Sequence, residues 1–242
     1  MLINRPTTDA TRSPLLSAFV FLGNGGSVAI KPRWAITAAH CAPPAHPDRY
    51  AEVHRHPSMD LALVRLRERR SDVIPALSPR TPASPGDGCS VLASGFFGSG
   101  DVGKGDLRQI VPQQQRIACA RNRIESSTST YHVIGLDDEP DEAAPQMKDS
   151  GGALVIHGKD GRPYHAGVIV SGDTGSPARL GAKSYAVRLD VQHVHQWIAM
   201  VTGDHDDDGD VDVRDFNIVA SRYGEQGFDI ATFNQLVSHF GD

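Results

Sequence analysis

The sequence predicts a β-rich body followed by a short helical tail. Of 242 residues, 24 are glycine and 16 are proline, an excess that is typical of many turns and therefore of many short strands. The charge also changes abruptly near Thr202. Residues 203–242 carry ten acidic and two basic side chains, so that their net charge is −8 within a total of −5. We therefore predict two domains, residues 1–202 and residues 203–242.

The composition argues against two classes of partner. No apolar run approaches the ~20 residues that are needed to span a bilayer, and the nearly neutral body lacks the basic patch of a nucleic-acid-binding protein. Residues 1–16 lack the charged start and apolar core of a secretory signal. This predicts either a cytoplasmic protein or an export segment outside the sequence. Three cysteines cannot all pair within one chain, so at least one thiol is not in an intrachain disulfide.

The segment QMKDSGGALVIHG (residues 146–158) raises the possibility of a nucleophilic serine, Ser150. Asp, Ser and Gly also form ordinary turns, so this motif alone does not decide. A reactive serine needs an imidazole to take its proton and a carboxylate to orient that imidazole. His40 in RWAITAAHCA and Asp60 in HPSMDLALVRL are the candidates. Taken alone, His40 fits a structural histidine and Asp60 fits the cap of a surface strand.

Together the three segments resemble the trypsin/chymotrypsin family of serine peptidases. The contexts TAAHC, DLALVRL and DSGGALV occur in this family's order, and GNGGSVAI, SGFFG, GVIVSGD, SYAVRL and HQWIAM also follow in the expected sequence. The resemblance covers residues 3 to about 202. It implies an all-β fold of two packed antiparallel β-barrels with a C-terminal helix, an active site in the cleft between the barrels, and residues 78–88 as the linker.

The resemblance implies a role for each site residue and no cofactor for catalysis. Ser150 is the nucleophile, His40 moves the proton and Asp60 orients His40. The backbone N–H groups of Lys148 and Ser150 form the oxyanion hole, and Ser171 supports Asp60. The residues implied to bind a polypeptide substrate are Ala144, Ser171, Gly172 and Lys183.

Three features depart from the family pattern. Lys148 replaces a glycine, which predicts a weakened or deformed oxyanion hole because a side chain resists the backbone angles that glycine accepts. Only twenty residues separate His40 from Asp60, which predicts a shortened first barrel. Asn24 stands where the family has the disulfide partner of Cys41, so that disulfide cannot form.

Specificity and activation are also inferred from the resemblance. Ala144 stands where a trypsin has its acid, which predicts a neutral pocket for apolar or small side chains and no preference for Lys or Arg. Lys183 either favours an acidic substrate side chain or points to solvent. Ile3 is a candidate mature start whose amino group would pair with Asp149; alternatively, Asp149 has another partner and no processing occurs.

The tail contains one motif twice, GDVDVRDFNIVASRYG (residues 209–224) and QGFDIATFNQLVSHFG (residues 226–241). Each copy predicts a helix with one apolar stripe, capped by Asp212 or Asp229 and stopped by Gly224 or Gly241. We expect the two stripes to bury against each other. Their residues are Phe216, Val219, Ala220 and Tyr223 in the first copy, and Phe233, Leu236, Val237 and Phe240 in the second.

The segment DHDDDGDVDVRD (residues 204–215) has the spacing of a calcium loop, with Gly209 at its turn. The alternative is an acidic segment that is exposed to solvent and binds no metal. The predicted ligands are Asp204, Asp206, Asp208, Asp210, Asp212 and Asp215. The tail resembles a dockerin, an EF-hand-like module whose family binds cohesin domains. The second copy lacks the alternating acidic residues of a calcium loop. This predicts one Ca²⁺ site and argues against tight cohesin binding.

Three hypotheses follow. The first is a secreted, extracellular serine endopeptidase with a calcium-dependent tail for attachment to a partner. The second is a weak or inactive peptidase homologue that acts as a protein-binding scaffold. In the third, the main function of the protein is the binding of a cohesin domain by the tail. The extracellular location is implied by the two resemblances alone.

Overall fold

The structure is a computed structural model that describes residues 2–4, 12–22, 25–42, 50–95, 98–101, 106–109, 116–146, 148–173 and 180–241. The strands are β1 (Leu2–Asn4), β2 (Phe19–Phe21), β3 (Gly26–Lys31), β4 (Trp34–Thr37), β5 (Tyr50–Arg55), β6 (Ala62–Leu66), β7 (Gly88–Gly95), β8 (Gly98–Asp101), β9 (Asp106–Gln109), β10 (Arg116–Ser127), β11 (Tyr131–Gly135), β12 (Ala143–Ala144), β13 (Ala153–His157), β14 (Pro163–Gly172) and β15 (Lys183–Arg188). The α-helices are α1 (Gln192–Thr202), α2 (Val213–Ser221) and α3 (Ile230–His239), and short 3₁₀ helices span Pro14–Ala18 and Ala39–Cys41. None of the helices in the described ranges is long and apolar enough to cross a membrane.

The C-terminal half of the body is a closed barrel with strand order β10-β11-β15-β14-β13-β7. Its interior is filled by apolar side chains from several strands, among them Val91, Ile124 and Leu154. The short apolar run directly after Ser150 forms β13, which lies between β14 and β7. Ser150 therefore sits at the mouth of a rigid barrel.

The N-terminal half is a five-stranded sheet with order β2-β3-β4-β6-β5. The prediction of a mostly β fold with the plan of a double barrel is confirmed in this coarse form. In the described residues the first unit is an open sheet, in line with the shortened first barrel that the sequence predicts. Residues 43–49, which precede β5, lie outside the described ranges.

One apolar cluster joins the two halves of the body. It contains Ile36 and Leu63 from the N-terminal sheet, Val168 from β14 and Trp197 from α1. The linker predicted for residues 78–88 lies between β6, which ends at Leu66, and β7, whose first residue is Gly88. Apolar packing therefore holds the two halves together and fixes the side chains of one half relative to those of the other.

The tail forms two helices, and the predicted N-caps are confirmed. The Asp212 carboxylate accepts a hydrogen bond from the Arg214 N–H (2.6 Å), and the Asp229 carboxylate accepts one from the Ala231 N–H (2.9 Å). Each glycine follows its helix with positive φ: Gly224 lies three residues beyond the end of α2 and Gly241 two beyond the end of α3. Capping is a local property of the chain, which is why the sequence predicts it.

The prediction that the two tail stripes bury each other is wrong in part. Val219 and Leu236 are fully buried and the rings of Phe216 and Phe233 contact each other at 5.7 Å. Three other large stripe residues, Tyr223, Val237 and Phe240, are exposed, as are Val213 and Ile230 outside the stripes. The reason is that α3 packs against α1 of the body, where Gln235 Nε2 donates to the Val201 carbonyl (2.9 Å).

A buried ion cluster fixes the junction between the barrel and α1. The Asp190 carboxylate accepts from the Ala83 N–H (2.7 Å) and from Arg188 Nε (2.8 Å), and lies 3.3 Å from His132 Nε2. Burial alone would raise the pKa of Asp190, but hydrogen bonds from His132 and Arg188 outweigh it and lower the pKa to about 2.

We predict that Asp190→Asn lowers the free energy of unfolding by about 3–5 kcal/mol, because it leaves the partners of a buried carboxylate uncompensated. Since the folded pKa is depressed, the stabilisation is present above the unfolded pKa of about 3.9. It is lost as the pH falls through about 2. Urea unfolding between pH 2 and pH 7 measures both effects. Asp72→Asn, an exposed carboxylate, is the matched control, and equal stability of the two variants would contradict the prediction.

Candidate active site

His40 and Asp60 lie together because of strand pairing. β4 and β6 are antiparallel neighbours with Thr37 opposite Ala62, so the residues after β4 meet the residues before β6. The 3₁₀ helix Ala39–Cys41 carries His40, whose Nδ1 lies 2.7 Å from an Asp60 carboxylate oxygen. The other Asp60 oxygen accepts from the His40 backbone N–H (3.0 Å). With Nδ1–H donated to the carboxylate, neutral His40 keeps Nε2 as a proton acceptor.

The turn that carries Ser150 is fixed on both sides. The Ser150 carbonyl accepts from the Gly26 N–H of β3 (3.0 Å), and the Gly151 N–H donates to the Ile169 carbonyl of β14 (2.8 Å). Gly151 has φ +83°, and a Cβ there would lie 2.0 Å from the Gly26 carbonyl oxygen. Only glycine fits at this position, which accounts for the first glycine of DSGG.

The Gly25–Gly26 segment brings the His40 and Ser150 segments together. A Cβ on Gly25 would lie 2.6 Å from Cys41 Sγ and 2.8 Å from the Ser150 carbonyl oxygen, so both segments flank one residue. The Ser150 hydroxyl donates to the Val170 carbonyl (3.3 Å). Within the described residues, no hydrogen bond joins this hydroxyl to His40.

Cys41 does not compete as a nucleophile. All three cysteines are free, which confirms that Cys41 forms no disulfide. Burial and the nearby Asp60 carboxylate raise the pKa of Cys41 to about 11, against an opposing effect of Lys148. A thiol with this pKa stays protonated at neutral pH and is unreactive.

The family model described as Trypsin matches residues 7–198. The chain belongs to the trypsin family. No curated protein matches it. The family match ends before the acidic tail, so it supports the peptidase-like fold of the body alone.

Asp149, next to the serine of this trypsin-family chain, is fully buried. One of its carboxylate oxygens accepts from the Gln146 N–H (2.7 Å). Burial raises the pKa of Asp149, and this hydrogen bond acts in the opposite direction. Ile3, the candidate mature start, lies in β1 and packs in the barrel core. That hypothesis requires removal of Met1, which lies outside the described residues, and of Leu2, the first residue of β1.

Lys148 adopts the backbone conformation that glycine favours. Its φ is +74°, in the left-handed region, and its side chain is exposed. Among the described backbone hydrogen bonds, none is donated by the N–H groups of Lys148 or Ser150.

We predict that Lys148→Gly raises the free energy of unfolding by about 1 kcal/mol, because a side chain in the left-handed region is strained. The turnover number should not fall, since the backbone N–H is kept. Thermal unfolding and kcat on a peptide substrate measure the two effects. Lys148→Ala removes the charge but keeps the Cβ, so an equal gain in stability from Lys148→Ala would argue against backbone strain.

The residues assigned to substrate binding occupy different environments. Ala144 lies in β12 and is buried, whereas Ser171 and Gly172 end β14 and are exposed. The described hydrogen bonds do not join Ser171 to Asp60. Lys183, at the start of β15, forms an ion pair with Glu125 of β10. Its charge is therefore already compensated by a carboxylate of the same barrel.

The predicted calcium ligands form two groups. Asp204, Asp206 and Asp208 offer oxygens that all lie within 4.8 Å of one another, and the second group, with the same property, contains Asp210, Asp212 and Asp215. Gly209 makes the turn with φ +100°, and its N–H donates to Asp204 (2.9 Å). A donor set made only of carboxylate oxygens suits a hard cation such as Ca²⁺.

Lys31 is a site residue that the sequence did not reveal. It ends β3 of the trypsin-family body, and its side chain is 7% exposed. Its ammonium group donates to Asp204 (2.5 Å) and Asp207 (2.6 Å) of the tail. Burial lowers the pKa of Lys31, but these two carboxylates outweigh it, so the pKa is raised. A lysine at the end of a buried strand carries no sequence signal for a partner 173 residues away.

Proposed function

We propose that this trypsin-family chain is a serine endopeptidase with a His40–Asp60–Ser150 triad. The observation that carries the proposal is the 2.7 Å contact between His40 Nδ1 and the Asp60 carboxylate. This contact orients the imidazole and, with the proton on Nδ1, leaves Nε2 available as a base.

In the proposed mechanism, Ser150 Oγ leaves the Val170 carbonyl and turns towards His40 Nε2. It attacks the peptide carbonyl while His40 takes its proton, and Asp60 stabilises the imidazolium that forms. The N–H groups of Lys148 and Ser150 hold the oxyanion, a contribution of about 3–4 kcal/mol for one such donor in related hydrolases. His40 then gives its proton to the leaving amine, and water releases the acyl group by the same steps. No cofactor takes part.

We propose that the specificity pocket is neutral. Ala144 supplies no acid for a Lys or Arg side chain, and Lys183 is compensated by Glu125. A neutral wall favours apolar or small substrate side chains, since a charged one would lose its hydration without a partner. A peptide-library cleavage profile tests this specificity.

The second candidate is a protein-binding scaffold without peptidase activity. The Ser150–Val170 hydrogen bond and the side chain on Lys148 favour it. Labelling with a fluorophosphonate probe separates the two candidates. An active triad gives a covalent adduct that peptide mapping places on Ser150, and heat-denatured protein gives none. A folded chain that does not react is the result expected of the scaffold.

For the tail we propose one Ca²⁺ site, held by the predicted ligands Asp204, Asp206, Asp208, Asp210, Asp212 and Asp215. Their oxygens form two groups of three, and the N–H groups of His205 and Asp206, beside the first group, donate to Asp215 of the second, which supports a single site. The second copy has Glu225, Gln226, Gly227 and Thr232 and supplies no such set. Bound Ca²⁺ would neutralise the repulsion among the carboxylates and so stabilise the loop. Calorimetric titration with Ca²⁺ should give a stoichiometry near one, and absence of binding both with and without the Lys31 side chain would remove this part of the proposal.

We further propose that the tail attaches the peptidase to a partner outside the cell, possible partners being cohesin-like domains. The large apolar side chains that α2, α3 and the residues after them expose would supply the apolar contact area of a docking surface. An extracellular location also matches the family, whose members are commonly secreted. Titration of the calcium-loaded chain with cohesin domains tests the partner.

A further inference from the structure

The body and the tail meet at a buried cation. Lys31 of β3 places its ammonium group between Asp204 and Asp207, at 2.5 and 2.6 Å. Both Lys31 and Asp204 are almost fully buried, with side-chain exposures of 7% and 2%. A buried charge pair of this kind is stable only while each partner compensates the other. The contact therefore couples the position of the acidic loop to the body.

Among the described residues, α3 also makes contacts with the body. His239 of α3 packs its ring edge-on against Trp34 (5.3 Å) and lies 3.2 Å from a Glu52 carboxylate oxygen. Gln235 bonds to the body through the Val201 carbonyl. These contacts hold α3, whereas Lys31 holds the loop. The body therefore holds the tail at two places, α3 and the acidic loop.

The carboxylate that binds Lys31 is also the first of the proposed Ca²⁺ ligands. Asp204 Oδ2 accepts from both Lys31 and the Gly209 N–H, and Asp204 Oδ1 accepts from the Asp207 N–H (2.7 Å). Ca²⁺ binds carboxylate oxygens at about 2.3–2.6 Å. Since Lys31 Nζ lies 2.5 Å from the same oxygen, an ion on this oxygen would be at most about 5 Å from the ammonium group. Two cations this close, one of them buried, repel each other strongly.

We propose that Lys31 acts as an internal cation that competes with Ca²⁺ for the acidic loop. Without Ca²⁺, Lys31 holds the loop against the body. Ca²⁺ binding weakens that contact and frees the loop end of the tail, while Lys31 lowers the affinity for Ca²⁺ by the same factor, because coupling between two binding events is reciprocal. This inference rests on the proposed Ca²⁺ site.

Calorimetric titration of the full chain with CaCl₂ tests the proposal. Lys31→Met should bind Ca²⁺ about tenfold more tightly than the unmodified chain, or more, since removal of one charge at this distance has that effect even at the dielectric constant of water. Lys159→Met changes the net charge equally but lies in the β13–β14 hairpin, so its affinity should be unchanged. Lys31→Gln, which keeps a polar side chain, should bind Ca²⁺ with the same affinity as Lys31→Met. It replaces Lys31→Met in the test if that variant does not fold.

Hydrogen–deuterium exchange gives a second measurement. In the unmodified chain, Ca²⁺ should speed exchange in residues 30–34, where β3 turns into β4, and in Lys31→Met it should not. Ca²⁺ binding that is equal in the unmodified chain and in both Lys31 variants would overturn the competition and leave the Ca²⁺ site standing. Ca²⁺ binding by none of the proteins would overturn both. Binding by the Lys31 variants alone would support complete blockade by Lys31.

Discussion

Ser150→Ala is expected to lower kcat by roughly 10⁶-fold, the loss seen when the nucleophile of a comparable triad is removed. The fold should be kept, because the Ser150 turn is held by the backbone. The serine carbonyl accepts from the Gly26 N–H, and within the described ranges the side-chain hydrogen bond that is lost is the one to Val170. Hydrolysis of a peptide substrate and thermal unfolding measure the two effects.

Ser126→Ala is the matched control for this variant, since Ser126 is an exposed serine of β10. Its activity should equal that of the unmodified chain. Residual hydrolysis by Ser150→Ala at more than about one thousandth of the original rate would place the reacting group elsewhere, because the oxyanion hole and substrate binding alone leave far less.

Asp60→Asn is expected to lower kcat by about 10⁴-fold. Asn keeps the volume of Asp and can still accept from the His40 backbone N–H, so the loop should stay in place. Its amide group does not compensate an imidazolium, and it favours the tautomer of His40 that lacks a free acceptor at Nε2. The ratio of kcat values at neutral pH measures the loss, with Asp72→Asn as the control.

The double variant Ser150→Ala, Asp60→Asn sharpens this test. If the three groups act as one unit, the second substitution should cost almost nothing once Ser150 is gone, since triad contributions are not additive. A further loss of several orders of magnitude in the double variant would show that Asp60 serves the reaction in a way that does not pass through Ser150.

The local features of this chain could be predicted from its sequence. The Ser150 turn needs glycine at position 151 because of its positive φ, and the N-caps Asp212 and Asp229 act on N–H groups two residues away. The family resemblance implied the pairing of His40 with Asp60, and its structural basis is the pairing of β4 with β6. In each case the interaction depends on a few residues next to it in the chain or across one strand pair.

The partners of long side chains were decided only by the tertiary structure. The sequence left open whether Lys183 meets substrate or solvent, and the fold pairs it with Glu125, 58 residues away. The tail stripes were expected to bury each other, but α3 found a second partner in α1. Amphipathic helices of this kind have no fixed partner, since apolar burial is non-directional and depends on which surface the fold presents.

The sequence by itself determined the chemistry: an imidazole, a carboxylate and a serine in family order, and a ladder of carboxylates ahead of a capped helix. Only the tertiary structure placed Lys31 between Asp204 and Asp207. The physical reason is that charge pairing across 173 residues depends on burial and distance in the folded chain, and no short-range pattern of residue types records either quantity.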